Sequence, residues 1–132
     1  MIAVDTNVLV RLLVADDPEQ AEAARQLLEN AAAAHDSCFL SDPILCELEW
    51  VLVSRYRARR TEVADAFLGL LGKPLFVFED RTAVLQAVES YRQSRADLSD
   101  HMIGAKARAR GATTTWTFDR ALRDCAGFSI LR

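Results

Sequence analysis

An α/β domain with a central, mostly parallel sheet and helices on both faces is what this sequence predicts. Three observations predict it. Short apolar or β-branched runs recur at 2–4, 38–40, 75–78, 113–116 and 128–131, each strand-sized. The stretches between them carry helix start and stop signals. Strands alternating with helices imply parallel pairing, and right-handed crossovers then place helices on both faces. The length of 132 residues suits one domain spanning 1–132.

The elements follow in order. The run at 2–4 reads as a buried strand, followed by a short helix at 7–14. Asp17-Pro18-Glu19-Gln20 is a helix start with Asp at the N-cap, Pro at N1 and Gln at N3, opening an Ala-rich helix to about residue 34. Cys38–Leu40 is the second strand. Asp42 and Pro43 open a third helix, to about residue 57, and Thr61 caps a fourth at 62–71 that Gly72 and Pro74 end. The strand at 75–78 leads into a helix that begins at Asp80 or Arg81 and runs to about residue 94. A further helix at 97–109 is closed by Gly111. Strands at 113–116 and 128–131 complete the chain.

Composition sets limits on function. An apolar fraction of 51% argues against disorder. Sixteen basic against 19 acidic residues give a net charge of −3, which predicts no global polyanion binder but leaves local basic patches open. Cys38, Cys46 and Cys125 are an odd count without C-x-x-C spacing, and read as reduced, buried small hydrophobes. Asp5 and Asn7 interrupt the first apolar run and no cleavage site follows, so no signal peptide is expected. No run reaches the roughly 18 apolar residues of a membrane span. A cytoplasmic protein is expected.

Four carboxylates stand out. Asp5 ends the first strand, at the edge where parallel sheets place ligand chemistry. Alone it reads as a helix N-cap before Thr6 and Asn7. Glu47 shares a helix face with Ile44, Leu48 and Val51 on a helix apolar almost all round, so burial is expected, and a buried carboxylate needs a partner or a metal. Glu49 is a rival that periodicity does not exclude. Asp97 and Asp100 suit the first turn of their helix. Asp100 also aligns with Ile103, Gly104 and Ala107 on an expected packed face. Asp119 follows a strand, as a cap before Ala121, with Thr117 placed to orient it. All fall just after a strand or in the helix that follows. Carboxylates gathered there would repel and take up protons without a cation, and all-oxygen ligands suit Mg²⁺ or Mn²⁺.

Asp5-Thr6-Asn7, Cys46-Glu47-Leu48, Asp97-Leu98-Ser99-Asp100-His101-Met102-Ile103 and Thr117-Phe118-Asp119-Arg120 together resemble the motifs of PIN-domain nucleases, in particular the VapC-type ribonuclease toxins of toxin–antitoxin pairs. The resemblance covers essentially the whole chain. It implies a metal-dependent endoribonuclease whose acidic quartet of metal ligands is Asp5, Glu47, Asp100 and Asp119. Thr6, Asn7 and Thr117 match supporting polar positions, and Asp97 an additional acid found in part of the family. His101 replaces a small residue. The resemblance also implies one or two Mg²⁺ or Mn²⁺ ions, an RNA substrate, products with a 5′-phosphate and a 3′-hydroxyl, a VapB-like antitoxin and a homodimer.

Arg55, Arg57, Arg59 and Arg60 form a basic run, and Arg108, Arg110, Arg120 and Arg123 flank the later acidic motifs. As a set they would give an acidic pocket a positive rim that holds RNA phosphates. Trp50, Trp116 and Tyr56 are expected in the core rather than stacked on bases. Partner surfaces would come from Leu9, Leu12, Leu13, Leu27 and Leu28 and from the helix at 44–53. Two other functions compete: a catalytically inactive PIN-like RNA- or protein-binding module, and a Mg²⁺-dependent phosphotransfer domain. The intact quartet disfavours the first. The second lacks both the D-x-D aspartate, since position seven is Asn7, and a late lysine.

Overall fold

The computed structural model describes residues 1–132. The elements are β1 (Ile2–Ala3), α1 (Thr6–Leu13), α2 (Pro18–Ala33), β2 (Cys38–Leu40), α3 (Asp42–Ser54), α4 (Arg60–Leu71), β3 (Phe76–Phe78), α5 (Arg81–Arg92), α6 (Leu98–Ala109), β4 (Thr115–Thr117), a 3-10 turn (Arg120–Leu122) and β5 (Phe128–Ile130). Backbone contacts divide the chain into two compact units, Met1–Glu79 and Asp80–Arg132.

In the first unit β1, β2 and β3 form a parallel sheet in that order, with Ile2 beside Cys38 and Cys38 beside Phe76. Both connections are helical, as the strand–helix alternation requires. Leu9, Leu40, Leu45, Leu48, Val63, Phe67 and Leu70 are fully or almost fully buried. Asp17 caps α2 by accepting from the Gln20 N–H, and Pro18 sits in the first turn. The Gln20 side chain does not reach back to the cap; its Oε1 accepts from Arg11 Nε.

Helix α2 ends within one residue of the expected position and α3 three residues short of it, each followed by a residue with left-handed backbone. His35 and Arg57 adopt positive φ, 55° and 53°. Just beyond them the Asp36 N–H returns to the Ala31 carbonyl and the Ala58 N–H to the Leu52 carbonyl. This is the reverse turn that glycine usually makes at a helix C-terminus. Here histidine and arginine make it, so no residue type announces the stop. Arg59, not Thr61, occupies the N-cap of α4, and Glu62 accepts from the Arg59 backbone N–H at 2.9 Å.

In the second unit α5 packs on α6, and β4 pairs with β5 in parallel, Thr117 beside Ile130. Asp80 caps α5 by accepting from the Ala83 N–H. Strand β4 begins two residues later than its β-branched run and includes Thr117. Val84, Val88, Leu98 and Leu122 are the most deeply buried apolar residues here. Phe128 lays its ring on Gly104 of α6, where a Cβ would lie 2.5 Å from Cζ and 2.7 Å from Cε2 of that ring.

Candidate active site

Asp5 stands two residues past β1 and caps α1, its Oδ1 accepting from the Asn7 N–H at 3.1 Å. The carboxylate is exposed, and its second oxygen has no hydrogen bond within the protein. Thr6 is buried at the first turn, while Asn7 is exposed and borders an apolar groove of about 260 Å³ with Val8, Arg11 and Leu27.

Glu47 is exposed, which corrects the expectation of burial. The buried arc of α3 carries Leu45, Leu48, Glu49, Val51 and Leu52. At 100° per residue Glu47 lies just outside that arc, beside Val51. The buried carboxylate is that of Glu49, only 7% exposed. Desolvation therefore gives no reason for a metal at Glu47, whose carboxylate is open to solvent. Burial raises the Cys46 thiol, and the charges of Asp42 and Glu49 add to the effect, so this cysteine stays protonated and unreactive.

Two more acids occupy the same edge of this sheet. Glu79 follows β3, and its Oε2 accepts from the backbone N–H of Asp42 at 2.6 Å, at the start of α3 after β2. Each of the three parallel strands thus has an acidic residue at its C-terminal end. The signal that picked out Asp5 would have found Glu79, which immediately follows a strand rich in β-formers.

In the second unit Asp97 is the N-cap residue of α6 and Asp100 lies in its first turn. The packed face of α6 is Leu98, His101, Met102, Gly104 and Ala105. Ile103 is 58% exposed, so the expected Asp100–Ile103–Ala107 face is not the packed one. Asp100 borders the buried arc and is half-buried. Burial pushes its carboxyl pKa up, and the negative charges of Asp119 and Asp97 push it further. Asp119 follows β4. Thr117 Oγ1 accepts the Asp119 N–H at 3.0 Å, and Asp119 Oδ1 accepts from the Ala121 N–H at 2.9 Å. Asp119 and Asp5 are thus built alike: a strand end, one oxygen spent on the amide two residues on, the other free of protein partners.

His101 is only 3% exposed. Its Nε2 lies 2.6 Å from Ser94 Oγ, and its ring meets Phe128 edge-on at 6.3 Å. The imidazole is therefore an interior packing group that ties the α5–α6 connection to α6.

The aromatic expectation needs correction. Trp50 and Trp116 are 61% and 62% exposed. Trp50 lies on the arc of α3 opposite its leucines. Trp116 alternates away from Thr115 and Thr117 along β4. Tyr56 is half-buried and donates from its hydroxyl to Asp16. Among the proposed partner residues, Leu9 and Leu28 are core, while Leu13 and Leu27 reach the surface. Arg59 pairs with Glu62, and Arg60 is half-buried; Arg55 and Arg57 are exposed and make no ion pair.

Within neither unit do three or more Asp, Glu, His or Cys side chains close around one point as a finished ion cage. The donors nonetheless suit a hard cation. All are oxygens, two strand-end carboxylates hold one oxygen free, and the acids of the second unit already oppose the ionisation of Asp100.

Carboxylates set at the ends of parallel strands in an α/β chain are the pattern of the PIN domain. The PIN domain family matches residues 2–127, and the chain belongs to it. It is also similar to a protein of Aquifex aeolicus (strain VF5) described as a VapC ribonuclease, 23% identical over 123 residues, which covers 93% of this chain and 90% of that one. No helix is long and apolar enough to cross a membrane.

Proposed function

We propose that this protein is a divalent-metal-dependent endoribonuclease, the toxin of a VapBC-like pair, which hydrolyses RNA phosphodiester bonds in the cytoplasm. The observation that carries this is the placement of free carboxylate oxygens after β1 and β4 in a chain that the PIN family matches almost end to end. The two compact units are read as one domain, because the match runs through both without a break. Similarity to the Aquifex ribonuclease supports the choice of RNA.

Asp5, Glu47, Asp100 and Asp119 are the proposed ligand set for Mg²⁺ or Mn²⁺, with Asp97 as an added negative charge. Such an ion acidifies a water nucleophile and neutralises charge on the phosphoryl oxygens. The protein's own groups fix geometry. Thr117 holds the Asp119 backbone, and Asn7 and Ala121 each pin one oxygen of their aspartate, so neither carboxylate needs reorganising to receive a ligand. Burial and the charges of Asp119 and Asp97 oppose the ionisation of Asp100, and a nearby dication would relieve that opposition. Arg55, Arg57, Arg59, Arg60 and Arg120 are proposed to attract RNA phosphates. A VapB-like antitoxin and a second copy are the proposed protein partners.

The test is cleavage of structured RNAs with Mg²⁺ or Mn²⁺. Asp5→Asn and Asp100→Asn should abolish it while the circular dichroism spectrum stays native. Undiminished cleavage in those variants, or in excess chelator, overturns the assignment.

A further inference from the structure

The second unit contains a cavity whose charge does not fit a structural role. It measures about 470 Å³ and is lined by Arg120, Arg123, Ile130 and Arg132. No acidic side chain lines it. None of the three arginines makes an ion pair, whereas Arg11, Arg25 and Arg59 each have a carboxylate partner. Three arginines bordering one space repel, and no ion pair within the protein neutralises them. An anion rich in oxygen acceptors would, since each guanidinium offers five donors in a planar fork that matches phosphate.

The position is as informative as the charge. Ile130 pairs with Thr117 across the β4–β5 ladder, and Thr117 accepts the N–H of Asp119. Arg120 follows Asp119 directly. The cavity therefore adjoins one of the proposed catalytic carboxylates. Arg120 also lines a second cavity, of about 520 Å³, with Ser94, Arg95, Asp124 and Cys125. Two adjacent spaces sharing one arginine suit successive phosphates of a chain better than a single ion. The volumes are also large enough for a nucleotide rather than a bare phosphate.

We infer that the Arg120–Arg123–Arg132 cavity is a phosphodiester-binding site that seats the RNA backbone beside Asp119. This rests on the ribonuclease reading above. Arg123 and Arg132 thereby join Arg120 as substrate-binding residues, and they act through charge and bidentate geometry, not base identity.

The experiment measures binding of a fluorescein-labelled single-stranded RNA by anisotropy, in excess chelator so that nothing is cut, from about 50 to 200 mM salt. Each phosphate contact on a single strand contributes about 0.7 to the slope of log affinity against log salt. The triple variant Arg120→Gln, Arg123→Gln, Arg132→Gln should lose about 2 from that slope and bind at least tenfold more weakly. A control variant with Arg25→Gln, Lys73→Gln and Arg81→Gln removes the same charge elsewhere and should lose far less. An unchanged slope in the triple variant, or an equal loss in the control, overturns the site. Inorganic phosphate or a mononucleotide that displaces RNA with the same affinity as unlabelled RNA also overturns it, leaving a small-anion site only. Cleavage by the wild-type protein with Mn²⁺ is scored separately. A wild type that cleaves while the triple variant keeps its slope defeats this site alone, and a wild type that never cleaves defeats the ribonuclease reading.

Discussion

Replacing Gly104 by alanine probes the packing that carries Asp100. The added Cβ would stand 2.5 and 2.7 Å from Cζ and Cε2 of Phe128, where carbon atoms prefer about 3.5–4.0 Å. The ring must retreat by about 1 Å. It is held by the pairing of β5 with β4 and touches the His101 ring, so the movement is resisted. Overpacking of this kind costs about 1–3 kcal/mol. Alanine in a helix regains about 1 kcal/mol over glycine. The net expectation is a loss of about 1 kcal/mol, or about 3–5 °C in Tm for a chain of this size. Urea unfolding of a double-mutant cycle with Phe128→Leu isolates the clash, because leucine lacks the two atoms the methyl would strike. In the Phe128→Leu background Gly104→Ala should stabilise by about 1 kcal/mol, giving a coupling of about 1–3 kcal/mol. A coupling near zero, or a stabilising Gly104→Ala with Phe128 in place, would refute the contact.

Asp100 yields a pH prediction. Its raised pKa means the folded state favours the protonated form, so without metal the ionised carboxylate works against folding. That penalty is present above the folded pKa and vanishes as pH falls below the unfolded value. In chelator Asp100→Asn should therefore be more stable than wild type near neutral pH, with the gap closing on acidification; denaturant titrations at several pH values check this. Saturating Mg²⁺, at about 100 times its dissociation constant, should stabilise the wild type by about 2.7 kcal/mol and Asp100→Asn by much less, as differential scanning calorimetry would register. Thr117→Val removes the acceptor of the Asp119 N–H and should lower cleavage while costing about 0.5–1.5 kcal/mol of stability, with Thr117→Ser restoring both. Exposed Trp50 and Trp116 should emit at the long wavelength of hydrated indole and be quenched by iodide, and antitoxin binding that covers either should shift the emission to the blue.

Much of the fold was legible because its signals are local. Asp17 and Asp80 as caps, Cys38–Leu40 as a strand and Gly72 and Gly111 as stops each follow from residue types within a few positions of the feature. The helix end at Ser54 was not legible, because Arg57 makes a turn that its residue type does not favour. The site was legible where chemistry follows a strand, as at Asp5 and Asp119, and where Thr117 stands two residues before its aspartate. It was misread where rotation about a helix decides. A few tens of degrees separate Glu47 and Asp100 from their buried arcs, and an apolar pattern read without the fold puts Ile103 inside and Glu49 in doubt. The exposed Trp50 and Trp116 and the arginine cavity depend on which face remains uncovered, a property of the folded chain.

Mn²⁺ binding followed by electron paramagnetic resonance tests most directly whether the proposed acidic quartet holds an ion. Asp5→Asn and Asp119→Asn should each weaken Mn²⁺ binding severely while both variants remain folded. Unaltered Mn²⁺ affinity in both variants would contradict the proposed ligand set.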